Sequence, residues 1–410
     1  MGSSNGVLNC LPVGPKLRLG LLASFCSMIM MMSGIVRGEA VAAEWSAEPS
    51  LSMKGEYNSN LLLFNGNNEV WGDWVSPKMK FKGATESFEI DGSAKGDFIQ
   101  YYGSQDRGLT NLYFPIHAAY RWKRLTFGFD GGFTRDNTLL GELQQTGVVL
   151  NFTQRNLWTA TPSLTLGLTE RLNWQLAYHL LDASYQNGLS LGLVNYQVNG
   201  GSSKLSYNLR ERSQVQITGD LVNFVAPDID QTWTYYGAGA GLSHNLSKSI
   251  IVTASGGVRF INTNQGLSSG SLSQNDVVWV YNASIKKEFE RSVILIDGSS
   301  EVNPSGFGRL IQTDRVGGAI SHNLTENLTA SVIGAFYFVS GVATVGGQSF
   351  PDTRYTSVSP KLSWTFAQWW TLDIGYSYAE RAVDSLNQWN FANSTFVMLT
   401  YGGPKWSVSR

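Results

Sequence analysis

From Trp45 onward the chain alternates apolar and polar residues with period two, in runs far longer than most strands need. Leu172, Trp174, Leu176, Tyr178 and Leu180 alternate with Asn173, Gln175, Ala177 and His179. Ile250, Val252, Ala254, Gly256, Val258 and Phe260 alternate with Thr253, Ser255, Gly257 and Arg259, and Leu328 to Phe338 repeats the pattern. Period two is the period of a β-strand, whose successive side chains point to opposite faces. Strands of a soluble sandwich average about 5 to 6 residues, whereas these runs reach about ten before a turn. One apolar and one polar face over about ten residues suits a wall with lipid on one side and a polar lumen on the other. The expected fold is all-β, a single closed antiparallel transmembrane β-barrel.

Composition removes the competing classes. After the first 40 residues no apolar run approaches the ~20 residues of a transmembrane helix. Charged residues make up 15% and aromatic residues 12% of the 410, which argues against a disordered chain, a coiled coil or a nucleic-acid binder. The net charge of −1 offers no basic stripe, so no nucleic-acid partner is expected. Residues 1–43 read as a cleavable signal peptide: Lys16 and Arg18 precede an apolar stretch from Leu19 to Val36, followed by the small residues Ala40-Val41-Ala42-Ala43. The apolar stretch is long, and an uncleaved anchor is the alternative. Phe25 before Cys26 does not fit a lipoprotein signal, which wants a small residue there. Both cysteines, Cys10 and Cys26, fall in this segment, so the exported chain relies on neither disulfides nor thiolate metal sites. Without Lys16, Arg18, Arg37 and Glu39, the 30 basic and 31 acidic residues become 27 and 30. Residues 44–410 are then the barrel.

A repeat counts the strands. Leu205-Ser-Tyr-Asn-Leu209, Leu242-Ser-His-Asn-Leu246, Ile320-Ser-His-Asn-Leu324 and Leu362-Ser-Trp-Thr-Phe366 each precede a short polar turn and a second alternating run. Weaker copies start at Met79, Ala118, Leu164 and Ile285, and successive starts are 35 to 46 residues apart. Eight short turns join sixteen strands. Glu48 to Tyr57 and Asn393 to Tyr401 add one at each end, giving about eighteen, or sixteen if one weak pair is miscounted; bacterial single-chain barrels have even numbers. Such barrels place short turns in the periplasm and longer loops outside. The longest outer loop is the third, roughly Asp136 to Arg155, and the sixth, Asn264 to Asn275, is a Gly/Ser-rich flexible tip.

The two faces then separate. The third repeat position, Tyr120, Tyr207, His244, His322 and Trp364, points to lipid just above the periplasmic turns and forms an aromatic girdle with Trp122, Trp369 and Trp370. This gives His244 and His322 a structural place and leaves His117 and His179, of the other parity, facing the lumen. With a first turn at Gly83 to Glu86, Lys80 faces Glu89 and Lys78 faces Asp91. Lys78, Lys80, Lys82, Arg121 and Lys123 are then either an anion-attracting basic patch or part of a wall of ion pairs with Glu89, Asp91, Asp97 and Asp130; the second reading is preferred because the acids sit on neighbouring strands. Further inward charges include Lys54, Glu56, Lys95, Lys204, Asp220, Arg259, Lys286, Asp297, Arg315 and Asp373, and neither sign dominates. That favours weak ion selectivity or a neutral solute. Trp233 and Tyr235, with Tyr101 and Tyr185, could stack on sugar rings or could simply pack under loops.

No nucleotide loop, zinc spacing, cysteine site or hydrolase elbow is present in 44–410, so no enzyme activity, metal or cofactor is expected. The opening Glu48-Pro-Ser-Leu-Ser-Met-Lys-Gly-Glu-Tyr-Asn-Ser-Asn60, the recurring Leu-Ser-x-x-Leu turns and the ending Asn393-Ser-Thr-Phe-Val-Met-Leu-Thr-Tyr401 resemble a group of Gram-negative outer-membrane β-barrel proteins. Its members are described as porins or as outer-membrane proteins of exopolysaccharide systems. The chain departs from many barrels in carrying Trp406 and a short tail beyond the last expected strand. The resulting expectation is an integral outer-membrane channel, inserted by the barrel-assembly machinery through its C-terminal strand. It would pass small hydrophilic solutes by diffusion through a lumen of mixed charge, with the third loop, through Leu139, Glu142, Gln144 and Gln145, folding inward as the constriction. The alternative is a conduit or anchor of a polysaccharide export assembly, or a barrel sheath around a partner protein.

Overall fold

The computed structural model describes residues 43–66, 68–104, 106–138, 152–267, 270–342, 351–384 and 388–409. Residues 1–42, most of the segment read as a signal peptide, and the loop residues Leu139, Glu142, Gln144 and Gln145 lie outside them. Nineteen strands are joined in one sheet: β1 (Glu44–Asn58), β2 (Val70–Ala84), β3 (Phe88–Gly103), β4 (Arg107–Trp122), β5 (Leu125–Asn137), β6 (Gln154–Gly167), β7 (Leu172–Tyr185), β8 (Tyr196–Arg210), β9 (Ser213–Ala226), β10 (Gln231–Ser247), β11 (Ile250–Leu267), β12 (Gly270–Glu288), β13 (Ser292–Pro304), β14 (Leu310–Asn323), β15 (Leu328–Gly341), β16 (Thr353–Ala367), β17 (Trp370–Val383), β18 (Gln388–Gly402) and β19 (Trp406–Ser409). Each of β1 to β17 pairs antiparallel with the next. β18 pairs with β1 from Ser50↔Gly402 to Asn58↔Ser394, which closes the barrel.

The last short strand is a continuation, not a nineteenth stave. Between the pairs Ser50↔Gly402 and Ala47↔Trp406, β1 contributes Glu48 and Pro49 while the partner contributes Gly403, Pro404 and Lys405. That one-residue excess is a β-bulge, the place where a proline without an N–H does least harm to a ladder. The Gly403 N–H donates to the Pro49 carbonyl at 2.8 Å. The short tail beyond the last expected strand is itself strand: Trp406 to Ser409 pair with Glu44 to Ala47 and lengthen the closing seam.

The eighteen-strand reading holds, and its eight short turns fall where the repeat places them. Two details differ. The first hairpin turns at 85–87, where the Thr85 N–H donates to the Phe88 carbonyl and the Phe88 N–H to Thr85 Oγ1. The register thus moves so that Lys82 faces Asp91, Lys80 faces Ser93, and Lys78 faces Lys95, not Asp91. The shift is even, so every side chain keeps its face. The sixth outer segment is not a loop: β11 and β12 stay paired up to Leu267↔Gly270. β13 leaves β12 above Tyr281, so this hairpin extends beyond its neighbour on that side.

The outer wall is apolar and exposed. Trp71, Phe98, Trp158, Ile217, Leu221, Val277, Trp279, Ile296, Val316 and Val397 all face outward, an inversion of a soluble domain. Tyr120, Tyr207 and Trp364 lie exposed near the short turns, as the girdle requires. His244 and His322 share that band. Each has its Nδ1 near a serine hydroxyl on the preceding strand, Ser213 at 2.8 Å and Ser292 at 2.7 Å. Among the described residues no helix is long and apolar enough to cross a membrane.

Candidate functional site

The lumen differs between its two ends. At the long-loop end the inward faces of the strands are covered. Trp233 and Phe224 are both 0% exposed, and they cluster with Tyr185, Tyr196, Tyr235 and Ile261 beneath the loop residues Leu193, Val194, Ile229 and Phe307. The loops are tied to one another, with the Val194 N–H donating to the Gly306 carbonyl at 2.8 Å and the Asn195 N–H to Asp228 Oδ2 at 2.9 Å. Of the two readings for Trp233, Tyr235, Tyr101 and Tyr185, packing under loops fits and stacking on a sugar does not: all four are buried, leaving no open ring face. On the other side of the barrel the β1–β2 connection also turns inward, a feature that sequence reasoning missed. Leu63 is buried against Ala392, Tyr355 and Ala379, with Phe152 beside it. The guanidinium groups of Arg381 and Arg107 lie 5.2 Å over Phe64 and 4.2 Å over Phe152. The apolar string Leu61-Leu62-Leu63-Phe64 in an outer loop was the available signal.

Below this cover the wall is polar, and its charges are mostly matched. Glu89 on β3 holds Lys82 at 2.8 Å and Arg121 at 3.2 Å. Lys95 and Asp97 meet at 2.9 Å on β3, and Lys54 and Glu56 at 2.6 Å on β1. His117 Nδ1 on β4 lies 2.6 Å from Asp130 on β5. Arg315 on β14 pairs with Asp297 on β13, and Lys361 on β16 lies 3.7 Å from Asp373 on β17. His179 on β7 bridges Ser202 at 2.9 Å and Thr161 at 3.3 Å on its two flanking strands. Lys123 is not on this wall. It belongs to the β4–β5 turn with φ 51°, and its Nζ lies 5.4 Å over the outward Trp122 ring.

Glycine makes one of these pairs sterically feasible. Asp220 on β9 and Arg259 on β11 flank Gly237 on β10 at one height. They meet at 3.3 Å across the intervening strand. A Cβ on Gly237 would lie 2.8 Å from Asp220 Oδ1 and 3.0 Å from Arg259 Cγ, so any side chain there would part the pair. The inward stripe of Gly237, Gly239 and Gly241 is thus partly a corridor for long side chains lying against the wall.

The neck of the third loop holds a different kind of pair. Asp136 on β5 and Arg155 on β6 are direct partners, joined in bidentate fashion at 3.0 and 2.8 Å. Their side chains are 6% and 1% exposed. Above them the Thr138 N–H donates to the Thr153 carbonyl at 2.9 Å, the Thr153 N–H to Thr138 Oγ1 at 3.1 Å, and Thr153 Oγ1 to the Gln186 carbonyl at 2.6 Å. Sequence reasoning used Asp136 and Arg155 only as loop limits; their shared inward parity was the signal that they face each other. Among the described residues no group of three His, Cys, Asp or Glu side chains could hold a metal ion.

No protein-family model and no curated protein matches the sequence. Among solved structures, the chain is similar to OccK1 (OpdK) of Pseudomonas aeruginosa, with 11% identity, a TM-score of 0.47 and coverage of 88% of this chain and 99% of that one. It is also similar to OccK5 (OpdH) of the same organism, with 11% identity, a TM-score of 0.44 and coverage of 87% and 98%. OccAB3 of Acinetobacter baumannii shows 9% identity, a TM-score of 0.44 and coverage of 88% and 99%. Likenesses at this level say nothing about solute or site.

Proposed function

We propose that the protein is an integral outer-membrane channel through which small hydrophilic solutes diffuse. The observation that carries this reading is the two-sidedness of the closed sheet. An apolar exterior, with an aromatic girdle near the short turns, surrounds a wall of hydrogen-bonded and ion-paired polar groups. A sealed eighteen-strand barrel is wide enough for an aqueous path, and polar inward residues have no purpose in a dry core. Matched charges along most of the wall support low ion selectivity. The closing strand, lengthened past its bulge to Ser409, would serve as the recognition element for barrel assembly.

The third loop is assigned the constriction. Its neck is pinned by the Asp136–Arg155 pair, and Phe152 at its end reaches Arg107 and the inward-turned β1–β2 segment. Purified protein in planar bilayers should give stepwise currents proportional to salt; silent membrane would overturn the channel reading. Deleting Leu139 to Val149 should raise the unitary conductance, and an unchanged conductance would remove the loop from the filter role.

A further inference from the structure

The ion pairs of the lumen leave a remainder on β2. Lys82 is taken up by Glu89, but Lys78 and Lys80, on the same inward face, form no ion pair among the described residues. Lys78 stands directly opposite Lys95 on β3 and opposite Ser50 on β1. Lys80, two residues along the same face, and Lys95 opposite are both positive. Like charges facing each other across a ladder repel. Lys95 is relieved by Asp97 at 2.9 Å, while Lys78 has no such carboxylate. At several other places on the described wall a long inward charge meets a counter-charge from a nearby strand, as with Arg259–Asp220 or Arg315–Asp297.

These lysines line a hollow of about 710 Å³ in the wall, which Lys405 of the closing bulge and His117 also border. Carboxylates are present too. Asp130 is engaged by His117 at 2.6 Å, Glu48 stands directly opposite Lys80 on β1 without closing to an ion pair, and Asp91 stands opposite Lys82, nearer the short turn. The lining is therefore mixed in sign, and its positive remainder lies deepest at Lys78, which faces Lys95 and Ser50 and no carboxylate.

We propose that Lys78 and Lys80, backed by Lys95, form a binding site for a small oxyanion, the carboxylate or phosphate group of a permeating solute. Ammonium groups on flexible stems supply movable donors without the fixed fork of arginine, so the site selects charge more than shape. As a permeation site this rests on the channel reading; as a binding site it does not. The charge cancellation seen along the rest of the wall gives way here to a local preference for anions.

Two measurements test it. Inorganic phosphate titrated into the folded protein in detergent micelles, followed by phosphorus NMR line broadening, should show saturable binding. The double variant K78Q/K80Q should weaken it roughly tenfold, while K286Q, on the inner face of β12, should not. Absence of saturable binding by the unmodified protein, or equal binding by the double variant, overturns the site. In bilayers under a salt gradient, K78Q/K80Q should lower the chloride-over-potassium permeability ratio by roughly threefold with current retained. An unchanged ratio overturns the role in permeation. A silent membrane for every variant counts against the channel reading instead, and the phosphate titration then decides the site alone.

Discussion

His117–Asp130 and Arg155–Asp136 are both close side-chain pairs between neighbouring strands, both on the lumen face, yet they live in different media. The first pair is open to the lumen, its side chains 44% and 63% exposed. The second is sealed, at 1% and 6%. Facing the lumen therefore does not mean facing water. Height along the barrel decides: toward the short turns the wall is bare, whereas toward the long loops it is covered by inward-turned segments. In the open zone a charge is solvated and its partner adds little. In the sealed zone the pair must be complete, because a single charge left there has no water to turn to.

Four substitutions break or sharpen this contrast, from the largest effect down. Arg155→Ala strands the Asp136 carboxylate in the sealed zone and should lower stability by about 3–5 kcal/mol. Denaturant unfolding in micelles, followed by tryptophan fluorescence, measures it, and a loss near zero would mean that water reaches the neck. Replacing both partners by leucine should recover most of that loss. Trp233→Ala empties the core of the covered end and should cost about 3 kcal/mol, at the lower edge of such truncations because the overlying loops can settle. Gly237→Val forces Asp220 and Arg259 apart and should cost about 2 kcal/mol by overpacking. Gly239→Val, whose nearest neighbours are backbone and Thr218, separates that charge effect from crowding alone. His117→Gln should change stability by less than about 1 kcal/mol, with the difference fading at high salt. A large, salt-independent loss would show that the open zone is drier than its exposure indicates.

The strand count, the turn positions, the parity of each strand and the girdle were legible in the sequence. Each follows from period two and from a repeat of one hairpin, and both are local. Parity placed Lys82, Arg121, Glu89, His117 and Asp130 on one face of neighbouring strands, but it gave Glu89 to Lys80, and only the structure matched Lys82 and Arg121 with Glu89 and His117 with Asp130. The first hairpin register did not follow from parity, because a shift of two residues on each strand leaves every face unchanged and so leaves no trace in the alternation. The sequence left Trp233 and Tyr235 open between stacking on a solute and packing under loops, and only the structure decides for packing. Their inward parity is identical to that of Arg259, and only the return of the segments at 186–195, 227–230 and 305–309 distinguishes them. The tail was not read as strand because a bulge interrupts the alternation that would mark β19.

What the sequence alone determined is thus a closed sheet with an apolar exterior and a polar interior, since a long two-faced strand leaves no other way to satisfy its backbone in lipid. What the tertiary structure decided is which interior groups meet one another and which meet water. Ion pairs such as Asp220–Arg259 span strands that only closure and register bring level. The cover over Trp233 is built by loops whose own pattern carries no period. Local alternation sets the side on which a residue lies; contacts across strands and loops set its chemistry there.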